Sequence, residues 1–173
     1  LFNTKKSLES TTVLYSFGLE ADWSFEEDFY RLTKSKIYCY DHTVNWKFFL
    51  KLFLSNPKTI LKFFQYKFFF DNKDKFHIRK MICPTKSYSP SLNENSLADL
   101  DSIIKTTVDK RNFFKIDIEG HEYRILDQII KYSSSMNGLA IEFHNCDLHI
   151  DRIKNFINNF ELQLVHIHVN NWA

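Results

Sequence analysis

Residues 11–41 read TTVLYSFGLEADWSFEEDFYRLTKSKIYCYD. The run Thr11 to Phe17 is rich in β-branched and aromatic residues and ends at Gly18, which predicts a strand followed by a turn. A second run of this kind, Lys36 to Tyr40, stops at Asp41. A helical segment separates the two runs. Strand, helix and strand within about thirty residues form a βαβ unit, whose strands are parallel and whose crossover is right-handed.

The helix of this unit is predicted from its start signal and from its periodicity. Ser24 and Glu27 have the spacing of a capping box, in which the side chain of each residue accepts a hydrogen bond from the backbone N–H of the other. Phe25, Phe29 and Leu32 then follow at i, i+4 and i+7, which predicts one apolar face.

Strand-like and helix-like segments continue to alternate along the chain. We predict four more strands, at Phe76–Cys83, Asn112–Ile118, Leu139–Phe143 and Leu162–Val169. We also predict three more helices: one is capped by Ser96, one includes Leu126 and one includes Phe156. Six strands alternating with helices specify a Rossmann-like α/β fold, with a doubly wound, mostly parallel sheet and helices on both faces.

The stretch from Trp46 to Phe70 is the most apolar part of the chain, but five lysines interrupt it and Asn56-Pro57 breaks it. No run of about twenty apolar residues exists, so we expect no transmembrane segment. Two short amphipathic helices explain the pattern. Their aromatic face is expected to be core or a lid over a site, and peripheral membrane contact through residues 46–70 is the alternative.

Length and composition set the class of protein. We expect a single domain over residues 1–173, truncated at one or both ends. Lysine and arginine (23) nearly balance aspartate and glutamate (21), which leaves no basic stripe for nucleic acid. Cys39, Cys83 and Cys146 fit neither a disulfide framework nor a zinc site and are expected to be buried thiols. With no leader pattern before the first strand, we expect a cytoplasmic protein.

Glycine is scarce, with three residues in the chain, and two of them follow strands predicted to be central. Gly18 and Gly120 are therefore expected to allow positive φ or a close backbone approach, although either could be an ordinary turn glycine. Asp41 follows the next strand at roughly the separation at which a carboxylate meets ribose hydroxyls. The segment around Gly18 lacks the glycines of G-x-G-x-x-G, which disfavours NAD and FAD. S-adenosylmethionine, which has no phosphate, needs less glycine.

Polar side chains accumulate where the predicted strands end, which is where ligands bind in such a sheet. They are Glu20, Asp41, Asp117, Glu119, His121, Glu142, His144, His166, His168 and Asn170. Asp117 and Glu119 share a face, as do Glu142 and His144. These groups could orient a hydroxyl and remove its proton, or could hold a divalent cation. Glu122 is assigned to the helix dipole, and His166 and His168 to packing or hydrogen bonding and not to a metal.

Residues 113–123, FFKIDIEGHEY, resemble the K-I-D-[IV]-E-G-x-E segment of the FkbM family of S-adenosylmethionine-dependent methyltransferases. A Ser-Leu-x-x-Leu helix start at Ser96 precedes it, as in that family. Residues 14–18 with 22–26 are similar to the first cofactor motif of the branch related to the methyltransferase-like proteins. Ile141 to His144 and His166 to Asn171 resemble the ends of the family's fifth and sixth strands.

The resemblance implies a class I methyltransferase that transfers a methyl group to an oxygen of a sugar, glycan or small metabolite. It implies cofactor contacts from Ser16, Phe17, Gly18, Glu20, Asp41 and Asp117, with Asp41 on the ribose, and catalytic roles for Asp117, Glu119 and His144. Two departures stand out: the first motif keeps one glycine, and the seventh, antiparallel strand of the family is missing. A sheet position would then be unfilled.

Three alternatives stay open at this point. In one, Asp117, Glu142 and His144 hold Mg²⁺ or a similar ion that acidifies the acceptor hydroxyl. In another, the domain keeps the fold as a non-catalytic binding module. A hydrolase is a weaker option, since neither a Gly-x-Ser-x-Gly elbow nor a His-Glu-x-x-His helix occurs.

Overall fold

The computed structural model describes residues 8–84, 94–106 and 111–169. Its strands are β1 (Val13–Phe17), β2 (Lys36–Tyr40), β3 (Lys75–Ile78), β4 (Met81–Cys83), β5 (Leu97–Asp99), β6 (Asn112–Ile116) and β7 (Met136–Ile141). Its α-helices are α1 (Ser24–Thr33), α2 (Trp46–Ser55), α3 (Ile60–Phe70), α4 (Leu100–Lys105), α5 (Leu126–Lys131) and α6 (Cys146–Asn159).

Five strands form one sheet in the order β3-β2-β1-β6-β7, and every neighbouring pair is parallel. The predicted βαβ unit is confirmed, since Val13 of β1 pairs with Lys36 of β2 and Phe17 with Tyr40. Strands β4 and β5 form a separate parallel pair. The strand order reverses between β1 and β6, so a crevice is expected beyond the carboxyl ends of these two strands.

Side chains that alternate along the strands build one core on each face of the sheet. Leu14 and Ile37 pack with Phe29, Phe49 and Phe69 of the first three helices. On the other face, strand residues pack with the last three helices: Tyr15, Phe17, Phe114 and Ile116 join Leu100, Ile103, Leu126, Ile129 and Phe156. The predicted α/β class, with a parallel sheet and helices on both faces, is confirmed, and the arrangement is compatible with a Rossmann-like fold.

Helix α1 differs from its prediction in two details. It begins at Ser24, with Trp23 as N-cap and no side-chain cap, while Ser24 N–H donates to Asp22. The capping box is therefore absent. Its buried positions are Glu26 and Phe29, whereas Leu32 is 69% exposed. The predicted inward face is therefore correct at Phe29 and wrong at Phe25 and Leu32, because Glu26, held by polar partners described below, takes a core position.

The segment predicted as one strand, Phe76–Cys83, forms two strands in different sheets. Lys80 N–H donates to Ile78 O at 2.8 Å, so the chain turns between β3 and β4. Ser96 caps no helix, because Leu97–Asp99 pairs with Met81–Cys83. Helix α4 begins after β5 and is capped by Asp99, which accepts from Asp101 N–H at 2.9 Å.

Leu162–Val169 was predicted as the sixth strand and forms none. Leu162 packs partly against the core, whereas Leu164, Val165, Ile167 and Val169 are exposed. An alternating pattern becomes a strand only where a neighbouring strand accepts its hydrogen bonds, and this segment pairs with none of the described residues. The sheet ends at β7. This strand was predicted over Leu139–Phe143, after Gly138, but it spans Met136–Ile141 and so includes that glycine.

Helices α2 and α3 separate at Asn56-Pro57 as predicted, and the side chain of Asn45 caps the first of them. Within the described residues, no helix is long and apolar enough to cross a bilayer. Cys39 and Cys83 are buried in strands, but Cys146 is exposed at the start of α6, so the expectation of three buried thiols is wrong.

Candidate functional site

The carboxyl ends of the two central strands touch at Gly18 and Asp117. Gly18 has φ of +86°, and a Cβ built on it would lie 1.6 Å from the carbonyl oxygen of Asp117. Asp117 N–H donates to Phe17 O at 2.9 Å, and Gly18 N–H donates to Tyr40 O at 3.0 Å. Both expected uses of this glycine, positive φ and close approach, are thus realised where the strand order reverses.

Backbone strain concentrates at this edge of the sheet. Glu20, Glu119 and Asn145 adopt φ of 48°, 54° and 49°, although none of them is glycine. Gly120 follows with φ of +86°. Non-glycine residues held in the left-handed region cost free energy and gather at functional sites, where the surrounding structure holds them in place.

Three side chains converge beyond the ends of β6 and β7. His144 Nε2 lies 3.5 Å from Glu119 Oε2 and 3.8 Å from Asp117 Oδ1. One potential ligand atom from each residue lies within 4.8 Å of the others. His144 is largely buried, with 22% of its side chain exposed, while Glu119 is open to solvent. The three residues predicted as catalytic are therefore neighbours in space.

The imidazole of His144 is held from behind by Glu122. The Glu122 side chain is fully buried, and its Oε1 lies 3.3 Å from His144 Nδ1 and accepts the His144 backbone N–H at 2.7 Å. Its second oxygen, Oε2, has no hydrogen-bond partner among the described residues. Glu122 opens a 3₁₀ turn and not an α-helix, so its assignment to a helix dipole is wrong. It orients the histidine.

A buried charged pair supports the Gly18 turn from below. Lys115 Nζ donates to Gly18 O at 2.6 Å and lies 3.5 Å from Asp117 Oδ2 and 3.9 Å from Glu26 Oε1. Ser16 Oγ donates to the same Glu26 oxygen. Burial raises the pKa of Glu26, while Lys115 and Ser16 oppose that rise without cancelling it.

Asp41 joins the ends of β1 and β2. Its Oδ2 accepts the N–H groups of Leu19 and Glu20 at 2.8 and 3.1 Å, and its Oδ1 accepts Thr43 N–H and Oγ1 at 2.6 Å each and Val44 N–H at 3.3 Å. Burial alone would raise its pKa, but the hydrogen bonds from Thr43, Leu19 and Glu20 hold the pKa below its usual value. Ribose hydroxyls would have to share oxygens that already bind this loop, and the ribose contact stays a prediction.

Glu20 adds a further carboxylate to the same edge. Desolvation raises its pKa, and the neighbouring carboxylates of Glu119, Asp117 and Asp41 raise it further. Four acidic side chains thus share one negative field at the carboxyl edge of the sheet, which favours a cationic ligand over an anionic one.

The remaining predicted residues lie apart from this cluster. Ser16 and Phe17 are fully buried, so their side chains cannot contact a ligand at the surface of the crevice. Glu142 follows β7 but does not belong to the group formed by Asp117, Glu119 and His144. His121, His166 and His168 are exposed, so the last two are not packed in the core. Asn170 lies outside the described residues.

Glu26, Lys115 and Glu122 were absent from the predicted site. The sequence could have indicated a role for Lys115, because a central parallel strand is normally an uninterrupted apolar run and this lysine interrupts one. Glu26 precedes Phe29 by three residues and so shares its helix face. Nothing in the sequence pattern pairs Glu122 with a histidine 22 residues further on.

The fold and the site define an α/β protein with an acidic cluster of side chains at the carboxyl ends of a parallel sheet, where the strand order reverses. No family model, no curated protein and no solved structure matches the chain.

Proposed function

We propose that this protein is an S-adenosylmethionine-dependent methyltransferase acting on a hydroxyl oxygen of a sugar, glycan or other small metabolite. One observation carries the proposal: Gly18 meets Asp117 at the point where the strand order reverses, with an acidic cluster beside it. Nucleoside-containing ligands bind at such points. The resemblance of residues 113–123 to the FkbM family narrows the chemistry to methyl transfer.

The residues present suit this cofactor better than a dinucleotide. Glu20, Asp117 and Glu119 would repel a pyrophosphate but attract the positively charged sulfonium and ammonium groups of S-adenosylmethionine. A single glycine at the turn is enough where no phosphate must lie against the backbone. When bound, the cofactor supplies an electrophilic methyl group.

His144 is the base that this site supports best. Glu122 accepts from the Nδ1 side of the ring, which leaves the Nε2 lone pair directed towards Asp117 and Glu119. Nε2 would take the proton of an acceptor hydroxyl as the oxygen is methylated. The resulting imidazolium would lie among three carboxylates, which stabilise its charge.

Calorimetry with S-adenosylhomocysteine tests the cofactor. We expect one site per chain, weakened at least tenfold in Glu20→Ala and unchanged in Glu27→Ala, which removes an exposed carboxylate from the nearby helix α1. A folded protein that fails to bind would reject the proposal and favour a non-catalytic binding domain. Transfer of labelled methyl to a panel of sugars and hydroxylated metabolites then identifies the acceptor.

The convergence of Asp117, Glu119 and His144 favours a second candidate, a metal-assisted O-methyltransferase. Two carboxylates and an imidazole suit Mn²⁺ or Mg²⁺, and such an ion would acidify the acceptor hydroxyl. Glu119 replaces Glu142 in the predicted ligand set. His144 Nε2 cannot bind a metal and accept a proton at the same time, so the two candidates exclude each other. Activity that survives a chelator would eliminate the metal-assisted candidate.

A further inference from the structure

Helices α2 and α3 expose an unusual amount of apolar surface. Eight large hydrophobic side chains on them are at least 38% exposed, and Phe68 reaches 86%. They are Trp46, Leu50, Phe53, Leu54, Ile60, Leu61, Phe64 and Phe68. We call these eight residues the outer apolar surface. Monomeric proteins seldom expose a contiguous patch of this kind unless it binds something.

Helix α2 is apolar around more of its circumference than its contact with the core uses. Its inner side carries Phe49, which is buried in the core, and Phe48, which packs against it. Its outer residues Trp46, Leu50, Phe53 and Leu54 recur at i, i+4, i+7 and i+8 and therefore form one stripe. Core packing explains the inner side alone, so the outer stripe needs another explanation.

Helix α3 repeats this arrangement. Phe69 is buried, and Phe63, Tyr66 and Phe70 pack on the same core as Phe49. Leu61, Phe64 and Phe68 recur at i, i+3 and i+7 on the side away from it. Because both helices turn their inner sides to one core, both outer stripes face away from it.

Charge distinguishes the kinds of partner that this surface fits. Residues 46–70 contain five lysines and no aspartate or glutamate. Lys62 is directed inward, where it donates to Ala21 O at 3.0 Å and lies over the Trp23 ring. Lys47, Lys51, Lys58 and Lys67 are exposed. In α2, Lys47 and Lys51 lie along one border of the outer stripe, as expected from their helical positions.

We propose that the outer apolar surface docks on the surface of an anionic lipid bilayer. Exposed Trp, Phe and Leu side chains insert at the headgroup level, while flanking lysines extend to the phosphates. Docking on an anionic bilayer needs an apolar stripe and flanking positive charge, and both are present on the same two helices. Docking there does not depend on methyl transfer.

Such docking would bring the crevice close to the membrane. Lys62 of α3 contacts Ala21, which lies in the turn between β1 and α1 that also carries Gly18 and Glu20. An acceptor hydroxyl on a lipid-linked sugar or a headgroup would then be within the reach of the site. This step alone rests on the proposed function.

Vesicle flotation tests the docking with the intact chain. We expect binding to phosphatidylcholine vesicles containing 30% phosphatidylserine and weaker binding to pure phosphatidylcholine. At high salt, binding to the anionic vesicles should fall to the level seen with pure phosphatidylcholine. Replacing Lys47 and Lys51 together by glutamine should weaken binding about tenfold or more, since each basic residue near such a surface contributes about fivefold. Phe68→Ser should also weaken it about tenfold or more.

Two controls carry the same chemical changes elsewhere. Leu148→Ser removes a side chain that is 74% exposed on α6, and Lys154→Gln removes an exposed lysine from the same helix. Both should bind vesicles as the wild type does. A blue shift of Trp46 fluorescence with vesicles, absent in Trp46→Phe, would locate the contact on α2.

Several outcomes would overturn the proposal. Binding that is equal for neutral and anionic vesicles would remove the role of the lysines. A dimer in sedimentation velocity that Phe68→Ser dissociates, together with no vesicle binding, would show that a second copy covers the surface. Equal losses in the α6 controls would show that the effect is not specific to α2 and α3.

Discussion

A single oxygen of Glu122 contacts His144 twice, through the backbone N–H at 2.7 Å and through Nδ1 at 3.3 Å. The histidine follows the last strand of the sheet, whereas the glutamate precedes α5. The contact therefore holds both the loop and the ring, and a carboxylate at this position favours the tautomer that carries its proton on Nδ1.

Replacing Glu122 by glutamine should disturb His144 without removing it. An amide cannot hold the ring as a carboxylate does, so we expect kcat to fall about tenfold or more, with KM little changed. Ring ¹⁵N NMR reads the tautomer of His144 directly and needs no substrate. Asp127→Asn, a nearby exposed carboxylate, is the control. An unaltered His144 spectrum in Glu122→Gln would refute the positioning role.

Gly18 and Gly120 offer a matched test of what each glycine does, because both have φ of +86°. Alanine at Gly120 meets open space apart from Asn145 Nδ2 at 3.7 Å, so it should destabilise the protein by about 1–2 kcal/mol from backbone strain alone. Alanine at Gly18 would also collide with Asp117 O, and we expect a far larger loss or no folding. Urea unfolding compares the two, and equal losses would contradict the close approach.

The features that local sequence could predict are those that depend on near neighbours. The unit β1-α1-β2 follows from periodicity and from the position of Gly18, and the break between α2 and α3 follows from Pro57. Glu26 and Glu122 could not be predicted as buried, because an acid enters the core only where distant partners such as Lys115 or His144 meet it. Leu162–Val169 has the pattern of a strand but pairs with no other segment in the described part of the chain.

Asp41 should make the protein sensitive to acid. Its pKa is lowered in the folded state, so its stabilisation is complete above the unfolded value of about 3.9 and is lost as the pH falls through the folded value. Asp41→Asn should lose about 2–3 kcal/mol at pH 7, because an amide group would face backbone N–H donors.

The difference between wild type and Asp41→Asn should then shrink below pH 4, which urea unfolding at pH 3 to 7 would measure. Asp151→Asn, at an exposed position of α6, should behave as the wild type does throughout. A constant difference would show that Asp41 contributes no acid sensitivity. Loss of cofactor binding in an Asp41 variant would not by itself identify a ribose ligand, since the loop depends on the same oxygens.

Glu26 should have the opposite dependence on pH. Burial raises its pKa in the folded state, so the carboxyl stabilises the fold fully below its ordinary value of about 4.3, and that stabilisation is lost as the pH rises through the folded value. Glu26→Gln imitates the neutral form, and Glu26 Oε2 has no hydrogen-bond partner to lose.

We therefore expect Glu26→Gln to match the wild type at pH 4 and to gain on it in free energy of unfolding as the pH rises to 8, by about 1.4 kcal/mol for each unit by which folding raises the pKa of Glu26. Unfolding by urea across this range measures the change, and Glu27→Gln, on the exposed side of the same helix, should follow the wild type. Parallel curves for Glu26→Gln and the wild type would mean that Lys115 and Ser16 offset the burial of Glu26 in full. In that case the pair beneath Gly18 would be a stable ion pair, and Lys115 would hold the turn without any cost from its partner.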